Sequence, residues 1–179
     1  RVVTERVDAL LNLPVLKQHM LSGLSGALKS HFGCIDNPNK MHLDRCDPYI
    51  AEVNALPQLR SKQRLIVMDG LRPVVDLGPS YQPDMAVPLG ALLLGTDPVA
   101  VDTVALGLLE ELRRKKGLPS LAQVKLEPVH IQTAARLGLG VADAEPGGVR
   151  DDLRALQGRG RRRRRGGRPL RTGRGALRL

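Results

Sequence analysis

The stretch ALLLGTDPVAVD, residues 91–102, joins a strand signal directly to a helix signal. The apolar run over residues 91–94 predicts a β-strand, which Gly95 interrupts. Asp97 is a suitable helix N-cap because its carboxylate accepts hydrogen bonds from free backbone amides, and Pro98 suits the first helical position, where no amide proton is missed. A strand followed at once by a helix predicts an α/β domain.

Apolar residues at helical spacing extend this helix toward residue 117. They are Val101, Val104, Ala105, Leu108 and Leu112. The basic residues 113–116 would lie in the last turn, where cations complement the helix dipole. Gly117 then ends the helix.

Two more apolar runs predict further strands. Residues 7–16 indicate a strand that is buried on both faces. Residues 65–68 indicate another strand, which Asp69 and Gly70 end.

Three further helices are predicted from apolar spacing and from glycine or proline punctuation. The first ends at Gly33 and has an apolar face formed by Leu21, Leu24, Ala27 and Leu28. The second covers residues 49–59 with an interruption at Pro57, and the third covers residues 128–137 and ends at Gly138.

The predicted elements amount to one α/β domain. Residues 34–48 and 71–88 carry the turn-forming residue types and predict irregular segments. We expect a mixed or mostly parallel sheet flanked by helices, in a single domain fragment over residues 1–149. Residues 150–179 are rich in Arg and Gly and predict a disordered tail.

The composition is typical of a globular protein. Of the 179 residues, 42% are hydrophobic but only 2% are aromatic, so aliphatic side chains must form the core. Aromatic platforms for stacking nucleic-acid bases are therefore nearly excluded. No apolar run approaches the roughly 20 residues that a membrane-spanning helix needs.

Most of the positive charge lies in the predicted tail. The net charge is +10, and residues 151–179 hold eleven Arg and two Asp, so the rest of the chain is close to neutral. An arginine-rich arm could bind nucleic acid without sequence specificity. The alternative is a readthrough or frame-shifted terminus. Nucleic-acid binding is therefore expected only through the tail.

Polar residues after two predicted strands form a candidate catalytic site. Lys17 and His19 alternate along an extended chain and so project to the same side. Ligands of open α/β sheets bind beyond the carboxyl ends of the strands, so we expect Lys17, His19 and Asp69 to converge on a small anionic substrate. The lysine would supply a fixed cation and the histidine a proton-exchanging group. A solvated strand end, and a turn role for Asp69, are the plainer alternatives.

Four further residues are candidates for ligand binding: Lys29, Asp97, Asp102 and His130. Lys29 could add a second cation, while Asp97 is already explained as an N-cap. Asp102 lies within a mostly apolar helix, where its carboxylate needs a partner. His130 at a helix start is most simply exposed, with a place in the site as the alternative.

A metal site is the second kind of candidate. His31, Cys34, His42 and Cys46 occur close together in the sequence and could form a tetrahedral site for zinc or iron, because zinc accepts imidazole and thiolate together. The plainer alternative is two small buried thiols and two loop histidines. Two cysteines do not indicate a disulfide framework.

Several motifs occur in a fixed order along the chain. They are NLPVLKQH over residues 12–19, SGALK over 25–29, MDG over 68–70, GTDPVAVD over 95–102 and AARLGLG over 134–140. With these motifs the chain resembles the domain of unknown function 362 family. The resemblance implies an association with iron–sulfur proteins, since many members carry a ferredoxin-like segment with Cys-x-x-Cys repeats. It also implies an N-terminal truncation, because the family's region starts before the first of these motifs.

The resemblance leaves the cofactor and the compartment open. Cys34 and Cys46 alone cannot ligate an iron–sulfur cluster, which takes four thiolates, so a cluster would need a segment absent from this chain. Some family members have twin-arginine export signals. We therefore expect a cytoplasmic protein by default, and an exported one if a missing leading segment carries such a signal.

The sequence supports three hypotheses of function. The first is an enzyme or redox-associated protein that acts on a small anionic substrate. The second is a noncatalytic module that binds a metal or another ligand through residues 31–46. The third is nucleic-acid binding through the tail. No membrane partner is expected, and the reaction stays open.

Overall fold

A computed structural model describes residues 2–143, so the predicted tail over residues 150–179 lies outside the described residues. The strands are β1 (Leu10–Asn12), β2 (Val15–His19), β3 (Gly23–Ser25), β4 (Gln63–Val74) and β5 (Ala91–Gly95). The α-helices are α1 (Ala27–Ser30), α2 (Tyr49–Ala55), α3 (Pro57–Arg60), α4 (Pro98–Lys115) and α5 (His130–Arg136). A π-helical turn covers Val2–Arg6, and 3-10 turns cover His31–Cys34, Pro38–Met41, Leu43–Cys46 and Pro83–Met85.

The long strand β4 is the centre of a mixed sheet. β1 and β2 both pair with it in parallel, β1 with residues 63–66 and β2 with residues 69–74. β5 pairs with β4 in the antiparallel sense, and β3 pairs with β2 in the same sense. Helices flank this sheet, which confirms the predicted α/β class with a mixed sheet.

The apolar run over residues 7–16 is divided between β1 and β2. The division falls at Leu13 and Pro14, where proline has no amide hydrogen to donate to a ladder. Leu11 and Leu13 are 65% and 67% exposed, whereas Asn12 and Pro14 are buried. The prediction of a strand buried on both faces was wrong, because apolar side chains occupy both faces although only one face is covered within residues 2–143.

The predicted end of the second strand at Asp69 and Gly70 was also wrong. β4 continues to Val74. Gly70 pairs with Ala91, and the carbonyl of Leu71 accepts hydrogen bonds from the next turn. β4 therefore continues through Asp69 and Gly70, a pair that usually marks a turn, because it pairs with β5 in a hairpin.

The predicted helix beginning near Leu21 starts later than expected. Residues 23–25 form β3, and α1 begins only at Ala27. Gly23 has a φ of +76°, which lets the chain turn back after β2. A Cβ at Gly23 would also lie 1.9 Å from the carbonyl oxygen of Leu126, so the turn depends on glycine.

The helix predicted from Asp97 and Pro98 is confirmed as α4. The Asp97 carboxylate accepts hydrogen bonds from the amides of Val99 and Ala100, and Gly117 follows the helix with a φ of +75°. The break at Pro57 and the helix end at Gly138 are also confirmed.

Arg113 has a different role from the one predicted. It is 1% exposed, so it does not lie in solvent at the helix end. Its guanidinium donates to the carbonyls of Val75 and Pro119 and forms an ion pair with Asp76 at 3.1 Å. Arg113 therefore ties two loops to α4.

The core lies between the covered face of the sheet and the helices, and it is aliphatic as the composition predicts. Its fully buried side chains include Leu16, Leu28, Ile66, Met68 and Leu109. None of the helices within residues 2–143 combines the length and the apolar character that crossing a bilayer requires.

Asp102 on α4 is wholly buried and holds the start of α1. Its Oδ1 accepts from the amide of Ala27 at 2.6 Å, and its Oδ2 accepts from the amide of Leu28 at 3.0 Å. The expected partner of this carboxylate is therefore a helix N-terminus, whose own cap residue, Gly26, has no side chain to offer. Burial raises the pKa of Asp102 to about 7, while the two amide bonds act to lower it.

Gly26 offers a direct test of this anchor. A Cβ at Gly26 would lie 2.2 Å from Asp102 Oδ1, whereas a Cβ at Gly33 would meet nothing within 4 Å. We expect Gly26→Ala to lower the free energy of unfolding by about 2 kcal/mol or more, because the carboxylate has to leave the two amides. The matched variant Gly33→Ala should change it by less than about 0.5 kcal/mol. Urea unfolding measures both, and equal stability of the two variants would contradict the anchor.

Candidate functional site

Three histidines and one lysine from separate parts of the chain lie together beside the end of β2. The ring centroids of His19 and His42 are 6.0 Å apart and their planes differ by 23°. Lys29 Nζ lies 3.4 Å from His42 Nε2. His130, at the start of α5, is close enough for the charges of Lys29 and His19 to lower its pKa. We call His19, Lys29, His42 and His130 the basic cluster.

The hydrogen bonds of His42 fix where its proton lies. His42 Nδ1 is 2.9 Å from the carbonyl oxygen of Pro38, which can only accept, so Nδ1 carries the hydrogen. In the neutral ring Nε2 then holds a lone pair, which accepts from Lys29 Nζ. The hydrogen bonds therefore run in one direction, from Lys29 through His42 to the carbonyl of Pro38.

His19 has the opposite tautomer. Its Nδ1 lies 3.2 Å from the amide nitrogen of Leu21 and 3.4 Å from that of Ser22, and both amides donate. The neutral ring therefore carries its hydrogen on Nε2. Because Nδ1 is occupied by the backbone, His19 acts as a donor toward other groups.

The basic cluster is short of negative charge. Burial, together with the charges of Lys29, His42 and Lys17, lowers the pKa of His19 to about 4. Burial also lowers the pKa of Lys29, with Lys17 adding to the decrease and Cys46 opposing it. Neither lysine forms an ion pair with a residue that the structure describes. Positive charge is therefore held here without a balancing carboxylate from residues 2–143.

His130 is wholly buried, so the prediction of an exposed helix start was wrong. It packs inside the domain because α5 lies against α2 and α4. Neither ring nitrogen has a hydrogen-bond partner among the described residues. Burial, together with the charges of Lys29 and His19, lowers the pKa of His130 to about 3. An unmade hydrogen bond of this kind costs about 1–3 kcal/mol, so His130 has bonding capacity to offer.

The structure brings two of the three predicted catalytic residues together. Lys17 is half-buried and lies near enough to His19 to affect its pKa. Asp69 lies opposite Val15 in the sheet, and its Oδ1 accepts from the amide of Leu71 at 2.8 Å. Asp69 therefore lies within β4 and makes a local backbone hydrogen bond, so it does not form the turn that was its plainer alternative. No hydrogen bond or ion pair joins it to Lys17 or His19 within the described residues.

A protein-family model described as Domain of unknown function (DUF362) matches residues 3–107, more than half of the 179 residues. The chain belongs to the DUF362 family. The DUF362 match contains Lys17, His19, Lys29 and His42, whereas His130 lies beyond it. The chain matches no curated protein and no solved structure.

The donor set of this DUF362 chain does not fit an iron–sulfur cluster. Such a cluster takes four thiolates, and the sequence holds two cysteines. Cys34 is exposed and Cys46 is buried in the core. Burial raises the pKa of both thiols, which favours the protonated form over the thiolate that a metal requires.

The four predicted ligands of zinc or iron are not gathered into one centre. His31 Nδ1 lies 2.7 Å from Asn54 Oδ1, so α2 holds this ring, while His42 belongs to the basic cluster. Within residues 2–143 no group of three or more His, Cys, Asp and Glu side chains could hold a metal ion. His31, Cys34, His42 and Cys46 are thus divided between different surroundings.

The two remaining aspartate candidates have structural partners in this DUF362 domain. Asp97 Oδ1 caps α4, and its Oδ2 accepts from the amide of Val141 at 2.9 Å. Asp102 holds α1, as described above. Asp97 therefore connects the start of α4 to the segment after α5, and neither carboxylate belongs to the basic cluster.

Removing the charge of Lys29 tests whether the basic cluster is electrostatically coupled. We expect Lys29→Met to raise the pKa of His19 and of His130, because a positive neighbour disfavours protonation of both rings. Lys40→Met is the control, since Lys40 is an exposed lysine elsewhere in the same region. Titration of the imidazole signals by NMR measures the values. Unchanged histidine pKa values in Lys29→Met would mean that Lys29 is not coupled to these rings.

Proposed function

We propose that this DUF362 domain binds a small anionic molecule at the basic cluster. The observation that carries the proposal is the position of Lys29. Its ammonium group is half-buried against His42 and Phe32, and it has no carboxylate partner among the described residues. Holding a cation in such surroundings costs free energy, and an incoming anion would recover it.

The hydrogen-bond directions support an anion over a cation or a neutral donor. Lys29 donates to His42 through one of its three hydrogens and has two more to offer. His19 carries its hydrogen on Nε2. A ligand that accepts several hydrogen bonds through oxygen atoms, such as a carboxylate or an oxyanion, suits these donors.

Binding is better supported than catalysis by a general base. His19 Nδ1 is occupied by backbone amides and His42 Nε2 by Lys29, while the ring of His130 is wholly buried. A base must have an accessible lone pair near the proton that it removes. An enzymatic or redox-associated role on an anionic substrate would be a further step beyond binding. Nucleic-acid binding through the tail is a separate hypothesis that does not involve the basic cluster.

Sulfate is a suitable probe because it has several acceptor oxygens and keeps its charge between pH 5 and pH 8. We expect Lys29→Met to weaken sulfate binding by about tenfold, the effect of losing roughly 1.4 kcal/mol from a charge-assisted hydrogen bond. Lys17→Met should weaken it less, since Lys17 acts at longer range. Lys40→Met should leave the affinity unchanged. Isothermal titration calorimetry measures the three values, and wild-type affinity in Lys29→Met would overturn the proposal.

The pH dependence gives an independent check of the same site. A bound anion raises the pKa of His19 and Lys29, so the complex holds more protons than the protein and sulfate do separately. Affinity should therefore increase as the pH falls from 8 toward 5. Affinity that is constant over this range would count against the involvement of His19.

A further inference from the structure

A cavity formed by residues outside the basic cluster is a second candidate site. The cavity, of about 140 Å³, is bounded by α2, α3 and the starts of β4 and α4. Its polar lining comes from His31, Asn54, Arg60, Gln63 and Thr96. Leu59, Pro98 and Leu139 contribute apolar surface. A cavity of this size accommodates a molecule about as large as benzene.

The polar base of this cavity is a buried pair with fixed orientation. Asn54 Nδ2 donates to the carbonyls of Leu28 and Ile50, both at 2.8 Å, so its Oδ1 must face His31. Because that oxygen accepts from His31 Nδ1, the neutral ring holds its lone pair on Nε2. His31 and Asn54 are only 6% and 5% exposed.

The second ring nitrogen of His31 is left for a ligand. No hydrogen bond within residues 2–143 engages Nε2. Burial lowers the pKa of His31, and the hydrogen bond that His31 donates to Asn54 opposes the decrease only in part. The ring is therefore neutral near pH 7, and Nε2 offers an acceptor to a hydroxyl group.

The rim of the cavity offers hydrogen-bond donors, whereas His31 Nε2 at its base is an acceptor. Arg60 uses one Nη2 hydrogen on the carbonyl of Gly138, at 2.9 Å, and its guanidinium has four more donors. Among the described residues, the lining includes the hydroxyl group of Thr96 and no Asp or Glu. A carboxylate suits Arg60, whereas an ammonium group would find no counter-charge in this lining.

We infer that this cavity binds a short hydroxycarboxylate. Its carboxylate would be held by Arg60 at the rim, and its hydroxyl group would donate to His31 Nε2 at the base. The apolar lining would contact the short carbon chain. This ligand differs from that of the basic cluster because it needs both an acceptor and a donor, in a cavity that has one group for each.

Lactate and propionate separate the two contacts, since propionate lacks only the hydroxyl group. We expect lactate to bind more tightly than propionate by about tenfold, as expected for one hydrogen bond to a buried partner. Arg60→Met should weaken both ligands, and His31→Phe should weaken lactate to the level of propionate. Calorimetry gives the affinities, and the NMR signal of the His31 ring reports the site.

Controls keep the two sites distinguishable. Arg60 is exposed, so Arg60→Met should fold normally even if His31→Phe does not. Because the basic cluster also suits a carboxylate, the NMR signal of the His31 ring is the readout for this cavity. Lactate should shift that signal equally in the wild-type protein and in Lys29→Met, and much less in Arg60→Met. Equal binding of lactate and propionate by the wild-type protein would overturn the role of His31. A full shift of the His31 signal by lactate in Arg60→Met would overturn the site.

Discussion

The carboxylate of Asp102 is the interaction on which both sites depend. It belongs to α4, yet it satisfies the first backbone amides of α1, at Ala27 and Leu28. A helix as short as α1 has little stability of its own, so its position is set by this contact and by packing. Lys29 lies within α1, and His31 begins the turn that follows it. One buried carboxylate thereby places a residue of the basic cluster and the base of the cavity.

Two buried groups, Asp102 and His19, make the stability of the fold respond to pH in opposite directions. Asp102 has a pKa of about 7 in the folded chain against an ordinary value of 3.8, so its contribution to stability falls as the pH rises through that interval. His19 has a pKa of about 4 against an ordinary value of 6.5, so its contribution falls as the pH decreases through that interval. The two windows overlap, and the protons taken up and released on unfolding partly cancel there.

Local chemistry in the sequence predicts local structure well. The start of α4 follows from Asp97 and Pro98 because capping involves only neighbouring residues. The end of β4 and the start of α1 could not be predicted in this way. β4 continues past Asp69 because β5 pairs with it, and α1 begins at Ala27 because a residue 75 positions away caps it.

The residues of the candidate sites divide in the same way: local sequence predicts the positions of some, and distant contacts determine the positions of others. Lys17 and His19 alternate on β2, so their proximity was predictable from strand geometry. The burial of His130 depends on the packing of α5, which no spacing in the sequence indicates. His31 and His42 have similar spacing to their neighbouring cysteines. His31 is hydrogen-bonded to Asn54, however, and His42 to Lys29, so the two rings lie in different surroundings.

Gly95 has a consequence for how β5 finds its alignment with β4. In the run 91–94 both faces of the strand are apolar, so sliding it by one residue would exchange Leu93 for Leu94 on the covered face with little hydrophobic loss. Opposite Gly95, however, α4 approaches so closely that a Cβ would lie 2.6 Å from Val101 Cγ2. A strand displaced in either direction would place a side chain in that gap. The absence of a side chain at one position therefore selects the correct pairing that hydrophobicity alone leaves undetermined.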